Sequence, residues 1–294
     1  MPDVARRDGD GWARCGRGHM HWGRFGAVGL LAYVPAGGTD GPGRVLLVRR
    51  GRWGQHGGTW APPGGARGRD EPAVTAALRE AEEECGLAPG GVDVQAMLRD
   101  EHGNGWAFET FLAAAAAPLP VHADSREITE ARWVDVAEVD SLRLHPGFGA
   151  DWPVLAGALV LVTIVVDVAN VMGARADGWW RDRAGAAQRL HGELVSLAGR
   201  GFAVLPDALD LPPLTRWYPR VVLVVEGAAR RAAIGPAGHV AVVAAPGSGD
   251  DAIVAEAAAP QGRRLVVTAD RELRRRCQAA GAAVAGPGWL LGLL

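Results

Sequence analysis

The chain has 294 residues, with 31 basic and 33 acidic side chains and a formal net charge of −2. A composition of 48% hydrophobic and 22% charged residues is typical of a globular protein, and it excludes both a strongly cationic nucleic-acid binder and an acidic disordered chain. The length favours two domains, and because every basic residue is arginine, any mechanism that needs a lysine is excluded.

Cys15, Cys85 and Cys277 lie far apart in the chain, which predicts free thiols in a reducing compartment. The N-terminus has no apolar signal core. The longest apolar run, residues 156–168, is too short to span a bilayer and predicts a buried strand with its lead-in. We therefore expect a cytoplasmic protein without a membrane segment; the sequence leaves the oligomeric state open.

Residues 1–22 are rich in glycine and arginine and have no apolar periodicity, which predicts a poorly ordered segment. Cys15, His19 and His21 are metal ligands by residue type. A structural zinc site needs four ligands, and no fourth is near in the sequence, so we predict no zinc site here.

Two strands are predicted next, over residues 24–34 and 44–50, with a turn-rich stretch between them. Arg49, Arg50 and Arg52 lie where the second strand ends. They either contact substrate phosphates or solvate a loop, and the sequence favours neither interpretation.

The stretch from residue 65 to residue 87 predicts a helix. Asp70 and Glu71 are N-capping residue types, Pro72 falls in the first turn, and Gly86 ends the helix. Apolar residues at three- and four-residue steps predict one buried stripe, made of Val74, Ala77, Leu78, Ala81 and Cys85.

Glu80, Glu83 and Glu84 share another face of this helix. Like-charge pairs cost about 0.2–0.5 kcal/mol each, and glutamates in the last turns also oppose the helix dipole. A bound Mg²⁺ would reverse this penalty, because hard cations take carboxylate oxygens. A solvated acidic face is the alternative, but the concentration of charge favours a metal site.

The stretch resembles the box of the Nudix family, GX5EX7REUXEEXGU, at every fixed position. The matching residues are Gly65, Glu71, Arg79, Glu80, Ala81, Glu83, Glu84, Gly86 and Leu87. The resemblance implies an α/β/α sandwich with a mixed sheet, which we place at residues 23–157. It also implies hydrolysis of a nucleoside diphosphate linked to another group, with Mg²⁺ or Mn²⁺ as the cofactor.

The resemblance also implies roles for individual residues. Glu80, Glu83 and Glu84 would hold the metal, with the Gly64 carbonyl as a further ligand. Glu80 is the favoured base for the attacking water. Arg79 would orient Glu80, Glu71 would brace Arg79, and Gly64, Gly65 and Arg50 would bind substrate.

Strands are predicted after the box at residues 92–99, 106–113 and 131–136, and a closing helix within residues 142–152. Glu109, Glu127 and Glu130 are either extra metal ligands or plain surface carboxylates. The sequence features of Nudix subfamilies that cleave NADH, ADP-ribose or dinucleoside polyphosphates are not found after the box. By elimination we favour a nucleoside triphosphate, canonical or modified.

Residues 158–294 predict a second α/β domain. Short β-rich runs predict strands at residues 161–166, 221–225, 240–244 and 265–268. Helices are predicted at residues 183–197, 250–258 and 271–280. This alternation indicates a doubly wound, mainly parallel sheet, in which ligands bind at the carboxyl ends of the strands.

Acidic residues recur at those strand ends. The candidates are Asp167, Asn170, Asp250, Asp251 and Asp270. Converging carboxylates would bind a divalent metal and support phosphodiester cleavage. Helix capping is the alternative, and it explains Asp250 and Asp270 better than Asp167.

The runs VVDVAN, GSGDDAIV and VVTADREL resemble the NYN branch of PIN-like ribonucleases. The resemblance implies that Asp167, Asp251 and Asp270 are metal ligands oriented by Asn170 and Asp250, with Mg²⁺ or Mn²⁺ bound. RNA is then the expected partner, through Trp179, Trp180, Arg181 and Arg183, although these residues are equally consistent with a helix start packed on the sheet. The competing hypothesis for the whole chain is a regulatory protein that senses a nucleotide and binds RNA without cleaving it.

Overall fold

The computed structural model describes residues 7–37, 43–52, 56–123, 127–175 and 178–294. The chain forms two compact units, one of Met1–Leu159 with Pro212–Thr215 and the other of Val160–Leu211 with Arg216–Leu294. Within the described ranges, no helix is long and apolar enough to cross a membrane.

The first unit begins with a small hairpin. Strands β1 (Trp12–Arg14) and β2 (Met20–Trp22) pair with each other in an antiparallel sheet of two strands. The prediction that residues 1–22 are poorly ordered is therefore corrected for this part of the segment. Three-residue strands are too short to give a period-two pattern, so the sequence carried no clear signal for them.

A mixed sheet forms the body of the first unit. Its elements are β3 (Ala27–Val34), β4 (Arg44–Arg50), β5 (Trp60–Ala61), β6 (Gly64–Ala66), α1 (Ala73–Cys85), β7 (Asp93–Gly103), β8 (Trp106–Ala114), β9 (Ile128–Asp135) and α2 (Pro146–Gly157). The strands run in the order β7–β8–β3–β4–β5, with β6 paired to β3 and β9 paired to β4. β3 is parallel to β8 and antiparallel to β4, which confirms the predicted mixed sheet.

Helix α1 packs on β3, β6 and β8 through small residues. Ala77, Ala81 and Cys85 are fully buried against Leu30 and Leu46 of the sheet. Val74 and Leu78 of the predicted stripe are only partly buried, at the edge of this core. Because alanines let the helix approach closely, its glutamate face lies directly beside the strands that precede it.

The second unit contains β10 (Val162–Asp167), α3 (Val168–Gly173), α4 (Arg183–Arg200), β11 (Arg216–Trp217), β12 (Arg220–Val225), β13 (Val240–Ala244), α5 (Gly249–Ala257), β14 (Arg263–Val267), α6 (Arg271–Ala279), β15 (Ala283–Ala285) and α7 (Pro287–Leu291). Five of these strands form a sheet in the order β13–β12–β10–β14–β15, and every pair in it is parallel. The predicted parallel sheet is confirmed. The strand order reverses at β10, so a ligand is expected at the carboxyl end of that strand.

Candidate functional sites

The box helix α1 begins at Ala73, after Pro72, which is the N-cap residue and not part of the first turn. No side chain caps this end, so the predicted capping by Asp70 and Glu71 is wrong. Glu71 instead accepts a hydrogen bond from the Gly68 N–H at 3.0 Å. The helix ends as predicted at Gly86, whose φ of 70° lies in the left-handed region that glycine adopts without steric cost.

The three glutamates of the box differ in their exposure to solvent. The Glu84 residue is 9% exposed, and the side chains of Glu80 and Glu83 are 15% and 44% exposed. Burial raises the pKa of Glu84 to about 8, and burial also raises the pKa of Glu80. For both carboxyls, the interactions present do not fully offset the cost of burying the negative charge.

Arg79 is the centre of an ion-pair network beneath these carboxylates. Its Nε and Nη2 donate to the two oxygens of Glu71 at 2.8 and 3.0 Å. Its Nη1 donates to Glu80 Oε1 at 2.6 Å and to Glu83 Oε2 at 3.2 Å. Both contacts expected from the box, to Glu71 and to Glu80, are present in the structure. The guanidinium also lowers the pKa of Glu71 through its hydrogen bonds.

Arg7 is a contact residue that the sequence did not predict. Its Nη1 donates to Glu83 Oε2 at 2.8 Å, and its Nη2 donates to Glu83 Oε1. The same Nη1 lies 3.9 Å from Glu80 Oε1. These hydrogen bonds lower the pKa of Glu83. A contact across 76 positions of sequence leaves no local pattern, so no signal could have identified it.

The two glycines before the helix allow a close approach of backbone to carboxylates. A Cβ on Gly65 would lie 2.5 Å from Glu80 Oε2, and a Cβ on Gly64 would lie 2.1 Å from the Val28 carbonyl oxygen. The Gly64 N–H donates to Glu84 Oε2 at 3.0 Å. Only glycine fits at Gly64, where the neighbouring atoms are backbone, and a side chain at Gly65 would displace the Glu80 carboxylate.

The other candidate carboxylates have different surroundings. Glu109 is buried and contacts Arg99 Nη1 at 2.7 Å and Arg67 Nη1 at 3.7 Å. Glu127 is near enough for its charge to raise the pKa of Glu84. Glu130 Oε1 lies 3.4 Å from Arg132 Nε. Of the three, Glu127 is the one whose charge acts on the box.

The side chains of the three arginines at the end of β4 have different neighbours. Arg49 and Arg52 line a cleft with Trp60, Glu130 and Arg132, and the Arg132 guanidinium lies 4.8 Å from the Trp60 ring centroid. Arg50 instead acts on Glu84, because its positive charge lowers the pKa of that carboxyl. Arg50 is thus the member of the three that lies with the box.

The donor set of the box fits a hard divalent cation. Glu80, Glu83 and Glu84 offer carboxylate oxygens, which are the ligands such cations take. The buried Glu84 carboxyl, with its raised pKa, is the observation that tests the fit, because a nearby cation would supply the charge that burial leaves uncompensated.

In the second unit, Asp167 lies at the carboxyl end of the central strand and is 5% exposed. Its Oδ1 accepts from the Asn170 backbone N–H at 3.1 Å, and its Oδ2 accepts from Asn170 Nδ2 at 2.7 Å and Thr268 Oγ1 at 2.8 Å. Asp167 is the N-cap of α3, so the argument that capping explains it poorly is wrong. Thr268, which is fully buried, was missed because hydroxyls are common at strand ends.

The remaining acidic candidates of this unit are held in different ways. Asp270 caps α6, with its Oδ1 accepting from Leu273 N–H at 2.7 Å. Ser248, and not Asp250, caps α5. Burial raises the pKa of Asp250, and the charges of Asp167 and Asp270 raise it further, so these three carboxyls act on one another electrostatically.

Two further predicted groups have other partners. Asp251 is exposed and pairs with Arg276 Nη2 at 2.6 Å. Trp180 is exposed, and the Arg183 guanidinium lies 5.4 Å from the Trp179 ring centroid. Residues 176–177 of the preceding loop lie outside the described residues.

The model of the NUDIX domain family matches residues 29–156. A protein of Mycobacterium tuberculosis named "Putative 8-oxo-dGTP diphosphatase 3" is 41% identical over 170 residues, covering 55% of this chain and 76% of that protein. A "Nucleoside triphosphate pyrophosphatase/Nudix hydrolase fusion protein" of Bifidobacterium longum is 35% identical over 163 residues, covering 54% of this chain and 34% of that protein. The crystal structure of RenU, a Nudix hydrolase from M. smegmatis, is 41% identical, with a TM-score of 0.46 over 50% of this chain and 92% of that one.

Proposed function

Because the chain belongs to the Nudix family and is a Nudix pyrophosphohydrolase, we propose that it hydrolyses a nucleoside triphosphate with Mg²⁺ at Glu80, Glu83 and Glu84. Nudix enzymes generally use a divalent metal. The observation that carries the proposal is the arrangement of three glutamates on one face of α1, with Arg79 fixing two of them.

The residues of the box divide the chemical work. Glu80, Glu83 and Glu84 would hold a divalent cation, which would supply charge neutralisation on the diphosphate and a lowered pKa for the attacking water. Glu80 accepts the proton of that water, since burial has raised its pKa towards the range of a useful base. Arg79 holds Glu80 in place through its Nη1, and Glu71 holds Arg79 through two hydrogen bonds.

Substrate contacts are proposed for Gly64, Gly65 and Arg50. The two glycines carry the β6 backbone past Glu80 and Glu84, and Arg50 supplies a positive charge near Glu84. The name of the M. tuberculosis relative refers to 8-oxo-dGTP. An oxidised purine triphosphate is therefore our first candidate within the triphosphate class.

The test is a panel of dGTP, 8-oxo-dGTP, ATP, ADP-ribose and a dinucleoside tetraphosphate, assayed with Mg²⁺ or Mn²⁺ for release of phosphate or pyrophosphate. We expect the highest kcat/KM for 8-oxo-dGTP.

Glu83→Gln should lower kcat/KM by more than about 100-fold, as expected when charge stabilisation at the reacting phosphate is lost. Glu82→Gln is the matched control, since Glu82 is an exposed neighbour outside the proposed ligand set. Unchanged Mg²⁺-dependent turnover in Glu83→Gln would show that Glu83 is not a ligand of the catalytic metal.

For the second unit we propose metal-dependent cleavage of RNA, with Asp167, Asp250 and Asp270 as ligands, Asn170 orienting Asp167, and Mg²⁺ or Mn²⁺ as the metal. The supporting observation is that Asp167 and Asp270 raise the pKa of Asp250, because grouped negative charges are relieved by a cation. Asp251, which the sequence predicted as a ligand, is left out of this set because it is exposed and paired with Arg276.

Full-length protein carrying Asp167→Asn should lose RNA cleavage and keep RNA binding, while the exposed control Asp207→Asn should keep both. If the wild type binds RNA and cleaves none, this proposal fails in favour of a binding domain. If nucleotides bind in Ca²⁺ but are not turned over in Mg²⁺, the first unit is a sensor and the chain is regulatory.

A further inference from the structure

Outside both carboxylate clusters, the first unit contains a group of sulfur and nitrogen ligands. Cys15 and His21 belong to the β1–β2 hairpin, and His102 lies near the end of β7. One ligand atom from each of the three lies within 4.8 Å of the others. Cys15 is 2% exposed, so its thiol faces this group and not bulk solvent.

Two atoms in this group lack the hydrogen bonds that buried nitrogens normally make. His21 Nε2 and His102 Nδ1 are both buried, and neither has a partner in the described structure. Buried polar atoms without partners cost about 1–3 kcal/mol each and call for an explanation. Two such atoms beside a buried thiol have a common explanation in a metal ion.

The outer side of His102 supports the same interpretation. His102 Nε2 lies 2.8 Å from Asp100 Oδ2. A carboxylate at this position fixes the proton on Nε2, which leaves the Nδ1 lone pair free. This is the usual outer arrangement of a metal-binding histidine.

Close backbone packing brings the hairpin to His102. A Cβ on Gly16 would lie 3.1 Å from the Gly103 Cα, so the two turns can meet because both residues are glycine. Trp106 Nε1 donates to the Gly23 carbonyl oxygen at 2.7 Å, and the His21 ring stacks on Trp106 with centroids 4.0 Å apart. These packing contacts and this hydrogen bond therefore hold the three ligands close to one another.

We propose that Cys15, His21 and His102 bind one Zn²⁺ ion, with the fourth position open to water. A thiolate and two imidazoles are typical zinc ligands, and Mg²⁺ prefers oxygen, so this site and the box select different metals. A tetrahedral zinc site separates its ligand atoms by about 3.3–3.8 Å, so small side-chain rotations suffice to close it. The sequence prediction of no zinc site considered only ligands near in the sequence, whereas His102 comes from far along the chain.

The ion ties the hairpin to the β7–β8 turn. An isolated hairpin of two strands is marginally stable at best, and β1 and β2 pair only with each other among the described strands. A zinc ion bound by Cys15, His21 and His102 adds a stronger attachment to the contacts that already join the hairpin to this turn. This attachment does not depend on the proposed function of the box.

The test measures zinc bound to the full-length protein after dialysis in excess Mg²⁺, which occupies carboxylate sites. We expect about one Zn²⁺ per chain in the wild type and in Glu83→Gln, and less than about a tenth of that in Cys15→Ser and His21→Ala. His19→Ala and Cys277→Ser are matched controls, because His19 is an exposed histidine of the same hairpin and Cys277 is a buried thiol of the second unit. Both controls should keep their zinc.

Co²⁺ substitution of the wild type provides a second measurement that needs no variant. Thiolate coordination gives Co²⁺ a near-ultraviolet charge-transfer band, which should be present in the wild type and absent when Cys15 is alkylated in the metal-free protein. Absence of bound zinc in the wild type, or a Co²⁺ spectrum without the thiolate band, would overturn the proposal. Zinc retained by folded Cys15→Ser and His21→Ala would overturn it equally.

Discussion

The two carboxylate clusters are assembled in opposite ways. In the first unit, Glu80, Glu83 and Glu84 come from two turns of one helix; Arg79 and Arg7 hold Glu80 and Glu83, and the Gly64 N–H donates to Glu84. In the second unit, Asp167 and Asp270 come from separate strand ends and are held by an amide, a hydroxyl and backbone N–H groups. Two of the three carboxylates of the first cluster are therefore paired with arginines, whereas the second cluster depends on neutral hydrogen-bond donors.

The largest expected effect concerns the arginine of the first cluster. Arg79→Lys removes the planar fork that contacts Glu71 and Glu80 together, and lysine cannot replace those contacts as a set. We expect kcat/KM for the best nucleotide to fall about 10- to 100-fold, the range for residues that orient metal ligands. Steady-state kinetics with Mg²⁺ measure this; a loss below about threefold would contradict the role of the network.

The matching change in the second cluster acts on stability. Asp167→Asn places an NH₂ group where Oδ2 or Oδ1 now accepts hydrogen bonds from Thr268 and Asn170. One buried donor then loses its acceptor, which costs about 1–3 kcal/mol of the free energy of unfolding. Denaturant unfolding of the second unit measures this loss. An unchanged free energy of unfolding would contradict the conclusion that neutral hydrogen-bond donors hold the Asp167 carboxylate.

Glu84 should respond to pH in the opposite sense to a paired carboxylate. Its pKa rises from 4.5 to about 8 on folding, so the folded metal-free protein binds an extra proton within that range. The folded state binds more protons than the unfolded state there, and stability should therefore fall as the pH rises from about 4.5 to about 8. Thermal unfolding in EDTA should show this slope in the wild type and in Glu82→Gln, and a weaker slope in Glu84→Gln.

The smallest expected effect is that of Arg7. Its guanidinium pairs with Glu83 and must leave if a metal takes those oxygens, so Arg7→Ala should lower the Mg²⁺ concentration for half-maximal activity. A partly exposed ion pair is worth about 0.2–1 kcal/mol, which corresponds to about a 1.4- to 5-fold shift. Arg14→Ala is the control, because Arg14 contacts the Gly18 carbonyl in the hairpin and not the box. An unchanged or higher Mg²⁺ requirement in Arg7→Ala would show that the pair does not compete with metal.

Features that depend on residues close together in the sequence could be predicted, and features that depend on contacts between distant segments could not. The ends of β4 and β13 match the predicted strands, and Gly86 ends α1 as expected, because strand composition and a left-handed glycine are local signals. Capping was predicted less well, since Asp70, Glu71 and Asp250 have the right residue types but other partners. Contacts between distant segments, such as Arg7 with Glu83 and Cys15 with His102, depend on the folded backbone and leave no pattern in one sequence.

The three buried thiols report on three separate parts of the chain. Cys15 lies in the hairpin cluster, Cys85 in the last turn of the box helix, and Cys277 in α6 of the second unit. A buried thiol reacts with an alkylating reagent only when its surroundings open, so the labelling rate of each cysteine measures a local opening equilibrium. Peptide mass spectrometry can follow all three in one sample without any introduced label. The native sequence thereby contains a built-in probe of which region loosens first when metal, nucleotide or temperature is changed.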